Sequence, residues 1–189
     1  MKTYVLIYEG FVQFEVVLSN YFMKTKGEIV TVGLNNKEVT SWEGFRTLPH
    51  ITLEEVDIKD VDLLILPGGD PQHLINDKKL MEVIDKLNSQ GKTIGAICAA
   101  PLSLAKAGVL KGRKYTTTLP IVEFKDFNES EFVDENVVVD GNIITAKASG
   151  YVDFALELGK IMNIYENEAD LQETIKYFKY FNVRENVIS

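Results

Sequence analysis

The stretch GAICAAPLSLAKAG, residues 95 to 108, holds the only cysteine of the 189-residue chain, Cys98, where an apolar run ends and a helical pattern begins. A thiol in that position has two opposite readings. Free cysteine packs as a small apolar residue, and most buried examples are inert fillers. At the N-terminus of a helix, however, a sulfur meets free backbone N–H groups and the positive end of the helix dipole, both of which favour the reactive thiolate. The small neighbours Ala96, Ala99 and Ala100 suit a sharp strand-to-helix turn that exposes its central side chain.

Three other groups could join it. Gly68-Gly69 needs no explanation beyond a tight turn, yet beside Cys98 the N–H groups of Gly69 and Ala99 could form an oxyanion hole. Glu15 falls about 100° round a helix from Phe14, on the flank of an apolar face beside Phe22. A first-turn glutamate can be a simple dipole partner, or its carboxyl can aim at the strand ends and, held protonated, donate to a thiolate. His73, after the double glycine, is the one candidate imidazole base. Otherwise it is a solvated loop residue, as His50 is expected to be. With two histidines there is no paired-His metal spacing, and neither GGDPQHL nor GAICAAP matches a phosphate loop. No metal or cofactor is called for.

These residues meet only if the elements between them fold as stacked strand-helix-strand units. Short β-branched runs do alternate with segments of helical period, the pattern of a mostly parallel sheet covered by helices. TYVLIY (3–8), EIVTVGL (28–34), VDLLILPGG (61–69), KTIGAIC (92–98) and KYTTT (114–118) read as strands. Phe14, Val17, Leu18, Tyr21 and Phe22 recur at helical spacing and predict an apolar helix face through about residue 25, ended by Gly27. A second helix spans 77–89. A third starts near Pro101 and stops at Gly108, and two more cover roughly 150–163 and 168–180. Residues 37–56 suggest a hairpin excursion around a glycine turn, and 136–146 a hairpin about Asp140-Gly141. Ligands of such a sheet bind beyond the carboxyl ends of the strands, so the loops 9–15, 67–74 and 98–101 should converge.

Composition sets the outer bounds. With 46% hydrophobic residues the chain is an ordinary globule, expected to form one domain. A net charge of -8 repels phosphate backbones and anionic lipid, so neither nucleic acid nor membrane is an expected partner. One cysteine forms no internal disulfide, and the apolar start is short for a signal peptide, which makes a reducing cytoplasm the expected location.

ILPGGD (65–70), GAICAAPLSLAKAGVLKGRKYTT (95–117) and, more loosely, DGNIITAKASGYVDFAL (140–156) together resemble the ThiJ/PfpI superfamily, relatives of the class I glutamine amidotransferase domain. The resemblance implies a flavodoxin-like three-layer α/β/α sandwich and a homodimer. It matches Cys98 to a nucleophile-elbow cysteine and Glu15 to the glutamate that hydrogen-bonds it. Gly69 and Ala99 match the oxyanion-hole positions. It also implies a small-molecule substrate and a range of activities: peptidase or amidase, glyoxalase or deglycase, isonitrile hydration, or oxidative-stress sensing and chaperoning. In one place the chain departs from the pattern. Thr118 stands where many members carry histidine after the strand-five TT. Amide hydrolysis needs an acid for the leaving amine and a base for water, so this departure weakens the peptidase reading, whereas addition of a thiol to a small carbonyl demands less. A stress protein whose cysteine is oxidised, and an inert binding module, are the alternatives from other classes.

Overall fold

The computed structural model describes residues 1–182. The chain opens with strand β1 (Lys2–Ile7), helix α1 (Phe14–Lys24) and strand β2 (Glu28–Gly33). An excursion follows, made of β3 (Val39–Thr40) and β4 (Arg46–Thr47), and β5 (Ile51–Thr52) returns to the sheet. Next come β6 (Leu63–Leu66), α2 (Lys78–Ser89), β7 (Thr93–Ile97) and the short α3 (Pro101–Lys106). Strands β8 (Lys114–Tyr115), β9 (Glu131–Phe132), β10 (Val137–Asp140) and β11 (Ile143–Ala146) precede α4 (Tyr151–Ile161) and α5 (Glu168–Phe178).

Seven strands form one sheet in the order β10-β11-β7-β6-β1-β2-β5. All its pairs are parallel except β10 with β11. Chain order reverses between β1 and β6, so the loops leaving these strands diverge and open a crevice at their carboxyl ends. The β7 loop lies beside them.

Because side chains alternate along a strand, each strand feeds two cores. Val5, Leu63, Ile65, Ile97 and Ile144 pack with Val16 and Met23 of α1 and Phe154 and Leu158 of α4. Leu6, Leu64, Leu66, Ile94, Ala96 and Ile143 pack with Leu80, Ile84 and Leu87 of α2 and Leu102 and Leu104 of α3. The result is the flavodoxin-like three-layer sandwich. Gly95 lets α4 approach closely: a Cβ there would lie 2.8 Å from Cζ of Phe154. Asp77 starts α2 by accepting the Leu80 N–H at 2.9 Å.

Three local expectations change. Most of the apolar stripe expected to bury α1 faces outward, with Phe14, Val17 and Tyr21 48%, 49% and 61% exposed. Glu15, Val16, Ser19, Phe22 and Met23 are the buried residues. The helix is apolar nearly all round, so its periodicity does not choose a side; packing on the sheet and the edge contact of Phe22 with Phe178, 5.0 Å between ring centroids, do. The second change concerns KYTTT. Only Lys114 and Tyr115 form a strand, and they pair with β9 outside the main sheet. The threonines that follow leave the strand because their hydroxyls bond elsewhere, Thr116 to the Glu135 carbonyl and Thr117 to the Cys98 carbonyl. Finally, the last hairpin turns one residue later than expected. Asp140 pairs with Ile143, and Gly141 takes the positive φ of 61° at the first of two loop residues, as a type II′ turn requires.

Candidate functional site

Cys98 follows the last residue of β7 and sits in the left-handed region at φ 63°, a conformation that is uncommon for a residue with a side chain. Its surroundings hold it there. The Cys98 N–H donates to the Ala146 carbonyl at 2.8 Å, and the Cys98 carbonyl accepts both the Thr117 hydroxyl at 2.7 Å and the Thr118 N–H at 3.0 Å. With both backbone groups engaged, the turn holds the half-buried thiol against Gly68 of the β6 loop and Glu15 of α1. Nothing in the sequence marks Thr117 for this contact, because a threonine after a strand is too common to be diagnostic.

Glu15 reaches the thiol from α1. Its carboxyl is buried, 2% exposed, and accepts the Gly68 N–H at 2.8 Å. The contact is reciprocal, because the Val12 N–H donates to the Gly68 carbonyl at 2.9 Å. Gly68 therefore ties the start of α1 to the β6 loop. The backbone contacts would suit other residues, but the space requires glycine: a Cβ would stand 2.5 Å from the Cys98 Cβ, 2.7 Å from the Glu15 Oε2 and 2.8 Å from the Cys98 Sγ. Gly69, at φ 133°, has a Cβ direction blocked by the Gly10 carbonyl at 2.6 Å and the Tyr8 hydroxyl at 2.8 Å.

Electrostatics couple the acid and the thiol. Burial raises the Glu15 carboxyl, the Gly68 N–H and the Cys98 thiol lower it, and the charge of Glu43 raises it again; the net direction is upward. Burial also raises Cys98, as do the charge of Glu15 and its hydrogen bond, so that the thiol is pushed up to about 12 against the opposing pull of the Thr118 hydroxyl and the Ala99 N–H. A charge on Glu15 disfavours a charge on the adjacent sulfur, so the two groups titrate as a coupled pair and share, in their hydrogen bond, the last proton to leave. This corrects the expectation of a thiolate stabilised simply by a helix end. The helix that follows spans six residues and begins three positions after Cys98, so its dipole is a small contribution beside burial and Glu15.

The other sequence candidates are placed as follows. Ala99 is buried beside the sulfur. The Gly69 N–H has no acceptor among the described residues. The Thr118 hydroxyl accepts the Ala148 N–H at 2.9 Å and faces Cys98 at the exposed lip of the crevice. His73 lies elsewhere, 6.4 Å between ring centroids from Tyr8, lining a cavity of about 260 Å³ with Glu9, Asn35 and Lys37. Exposed His50 pairs with Thr31 on β2. Among the described residues no cluster of His, Cys, Asp and Glu is disposed to hold a metal.

A doubly wound sheet with a strained cysteine turn and a buried carboxyl at its switch point defines the class of protein. The chain belongs to the DJ-1/PfpI family, whose model matches residues 1–161. It is 32% identical over 152 residues to a deglycase of Thermococcus kodakarensis, covering 79% of this chain and 92% of that one. Among solved structures it resembles Drosophila melanogaster DJ-1beta, with a TM-score of 0.79 and 28% identity over 93% of this chain and 95% of the other. A thiJ/pfpI family protein of Bacillus anthracis shares the fold with a TM-score of 0.83 at 23% identity, covering 95% of this chain and 91% of its own.

The steric account of Gly68 makes a test. Gly68→Ala should lower the rate of Cys98 alkylation by iodoacetamide about tenfold or more and destabilise the fold by about 1–3 kcal/mol in urea unfolding, as overpacking does. An unchanged alkylation rate would show that Cys98 and Glu15 do not depend on that close approach.

Proposed function

We propose that the protein is a cysteine-dependent enzyme acting on a small electrophilic carbonyl compound, an aldehyde, a ketoaldehyde or a deglycase-type adduct. The observation that carries this reading is the Cys98–Glu15 pair, a half-buried thiol against a buried carboxyl, packed on the β6 loop at a glycine without room for a side chain. The relatives named deglycases, which match over most of their length, support the substrate class.

In the first step Sγ of Cys98 attacks the carbonyl carbon. A C–S bond forms, the carbonyl π pair moves to oxygen, and the thiol proton passes to Glu15. The N–H groups of Gly69 and Ala99 receive the developing oxyanion, and Glu15 then protonates that oxygen to complete a neutral hemithioacetal. Thr118 supplies a hydroxyl to the sulfur but cannot act as an imidazole does near neutral pH, and His73 faces another cavity. The pair therefore suits carbonyl addition better than peptide hydrolysis. Cys98→Ser should lower turnover of small aldehydes by about a thousandfold or more, and Glu15→Gln by about 100-fold or more, with the fold intact by circular dichroism. Undiminished turnover in Cys98→Ser sinks the reading.

The second copy belongs to the same proposal. The outward stripe Phe14, Val17 and Tyr21 runs on to Tyr151, 5.5 Å edge-on from Phe14, and towards Tyr177, leaving an apolar band that a matching band on another copy would cover. Sedimentation velocity should give a dimer for the unmodified chain and a monomer for Val17→Asp, which would put a carboxylate into the apolar band. A monomer in both cases would remove the homodimer.

A further inference from the structure

Glu15 occupies the first turn of α1, where the positive end of a helix ordinarily holds a carboxyl in its ionised form. Burial opposes this, but so does something outside the crevice. The excursion formed by β3 and β4 lies across the entrance to α1 as a strap. Gly10 N–H donates to the Thr40 carbonyl at 2.8 Å, Thr40 N–H to the Glu9 carboxylate at 3.0 Å, and Trp42 N–H to the Phe11 carbonyl at 2.8 Å. At its tip, the Glu43 carboxylate accepts the Gln13 N–H at 3.1 Å and the Phe14 N–H at 2.9 Å. These are the leading N–H groups of α1, and Gln13 at the N-cap position makes no cap with its own side chain. The cap arrives from a residue 29 and 30 positions further along the chain.

We propose that Glu43 is a positioning residue for the Cys98–Glu15 pair: by placing a negative charge on the leading N–H groups of α1 it offsets the helix end that would otherwise ionise Glu15 at lower pH, and so keeps the Glu15 carboxylate basic enough to share the remaining proton with Cys98. The proposal rests on the proton-sharing reading of that pair. Two independent features support it. The strap makes no other charged contact with α1 among the described residues, and the Glu43 carboxyl carries the signature of a bound anion. Burial pushes it up, but the N–H bonds from Phe14, Gln13 and its own backbone, with a bond from Ser41, outweigh that and hold it below the usual carboxylate range.

The groups that face Glu15 are Cys98 from the β7 turn, Tyr8 from the end of β1, and Glu43 from the strap. Tyr8 keeps its proton, because burial and then the charges of Glu15 and Cys98 raise its phenol. No Lys, Arg or His among the described residues forms an ion pair with Glu15 or Glu43. The sign follows directly. Removing the Glu43 charge frees the positive helix end to act on Glu15, so the pair loses its first proton at lower pH.

The rate of Cys98 alkylation by iodoacetamide, read by intact mass as a function of pH, tests this alongside the melting temperature. The unmodified protein should show an acid limb, where the pair loses its first proton, and a further rise at high pH. Glu43→Gln, which keeps one acceptor and removes the charge, should move the acid limb down by roughly half a pH unit, the order expected of one partly screened charge near the same helix turn. Glu43→Ala should move it in the same direction and also lower the melting temperature. If both variants melt earlier while the acid limb stays in place, Glu43 is a helix cap only and the proposal is overturned. Glu15→Gln separates the two levels. A Glu15→Gln profile identical to the unmodified one refutes the proton-sharing pair itself. Loss of the acid limb in Glu15→Gln with no shift in Glu43→Gln refutes the role of Glu43 alone.

Discussion

The arrangement depends on one constraint: a half-buried thiol and a buried carboxyl stand too close to be charged together. Either charge alone is tolerable, because Gly68 N–H serves Glu15 and Ala99 N–H and the Thr118 hydroxyl serve Cys98. Both together would face each other in a largely buried site, which is why the pair holds its last proton well past the ordinary thiol range. A proton that can rest on either partner is what a thiol needs to add to a carbonyl and then neutralise the oxygen it creates. The fold must therefore hold two side chains from distant parts of the sequence within hydrogen-bond reach and keep a third residue, Gly68, from separating them.

The sheet meets this demand through its switch point. β1 carries the chain into α1 and Glu15, β6 delivers Gly68 and Gly69, and β7 ends in the Cys98 turn, all at the same edge. Each connection is then tied to its neighbour by backbone bonds. Val12 and Glu15 bind opposite ends of Gly68, while Thr117 and Thr118 bind the Cys98 carbonyl from the far side. A residue at φ 63° with both backbone polar groups satisfied can persist where an unsupported one would relax.

Much of this was legible in the sequence because it is local. Small residues around Cys98, the glycine pair at the end of an apolar strand and the alternation of strand and helix periods are each visible within a dozen residues, and the fold class follows from their order. What escaped was decided at a distance. α1 is apolar nearly all round, so its period could not reveal that Phe14, Val17 and Tyr21 turn outward. KYTTT has strand composition, but Thr116, Thr117 and Thr118 exchange ladder bonds for contacts with residues far along the chain, and no local rule signals that. The upward shift of the thiol has the same origin. A helix end is a sequence feature, whereas burial beside Glu15 appears only when two segments 83 positions apart are brought together.

Because Cys98 is the only cysteine, a single resonance from protein labelled with carbon-13 at cysteine Cβ reports its ionisation without assignment. Followed against pH, it should shift in two steps, the first in the range where the pair loses its first proton and the last towards about 12, as burial and Glu15 dictate. One complete step near the ordinary thiol value of about 8.5, unaltered in Glu15→Gln, would contradict the shared proton on which the account stands.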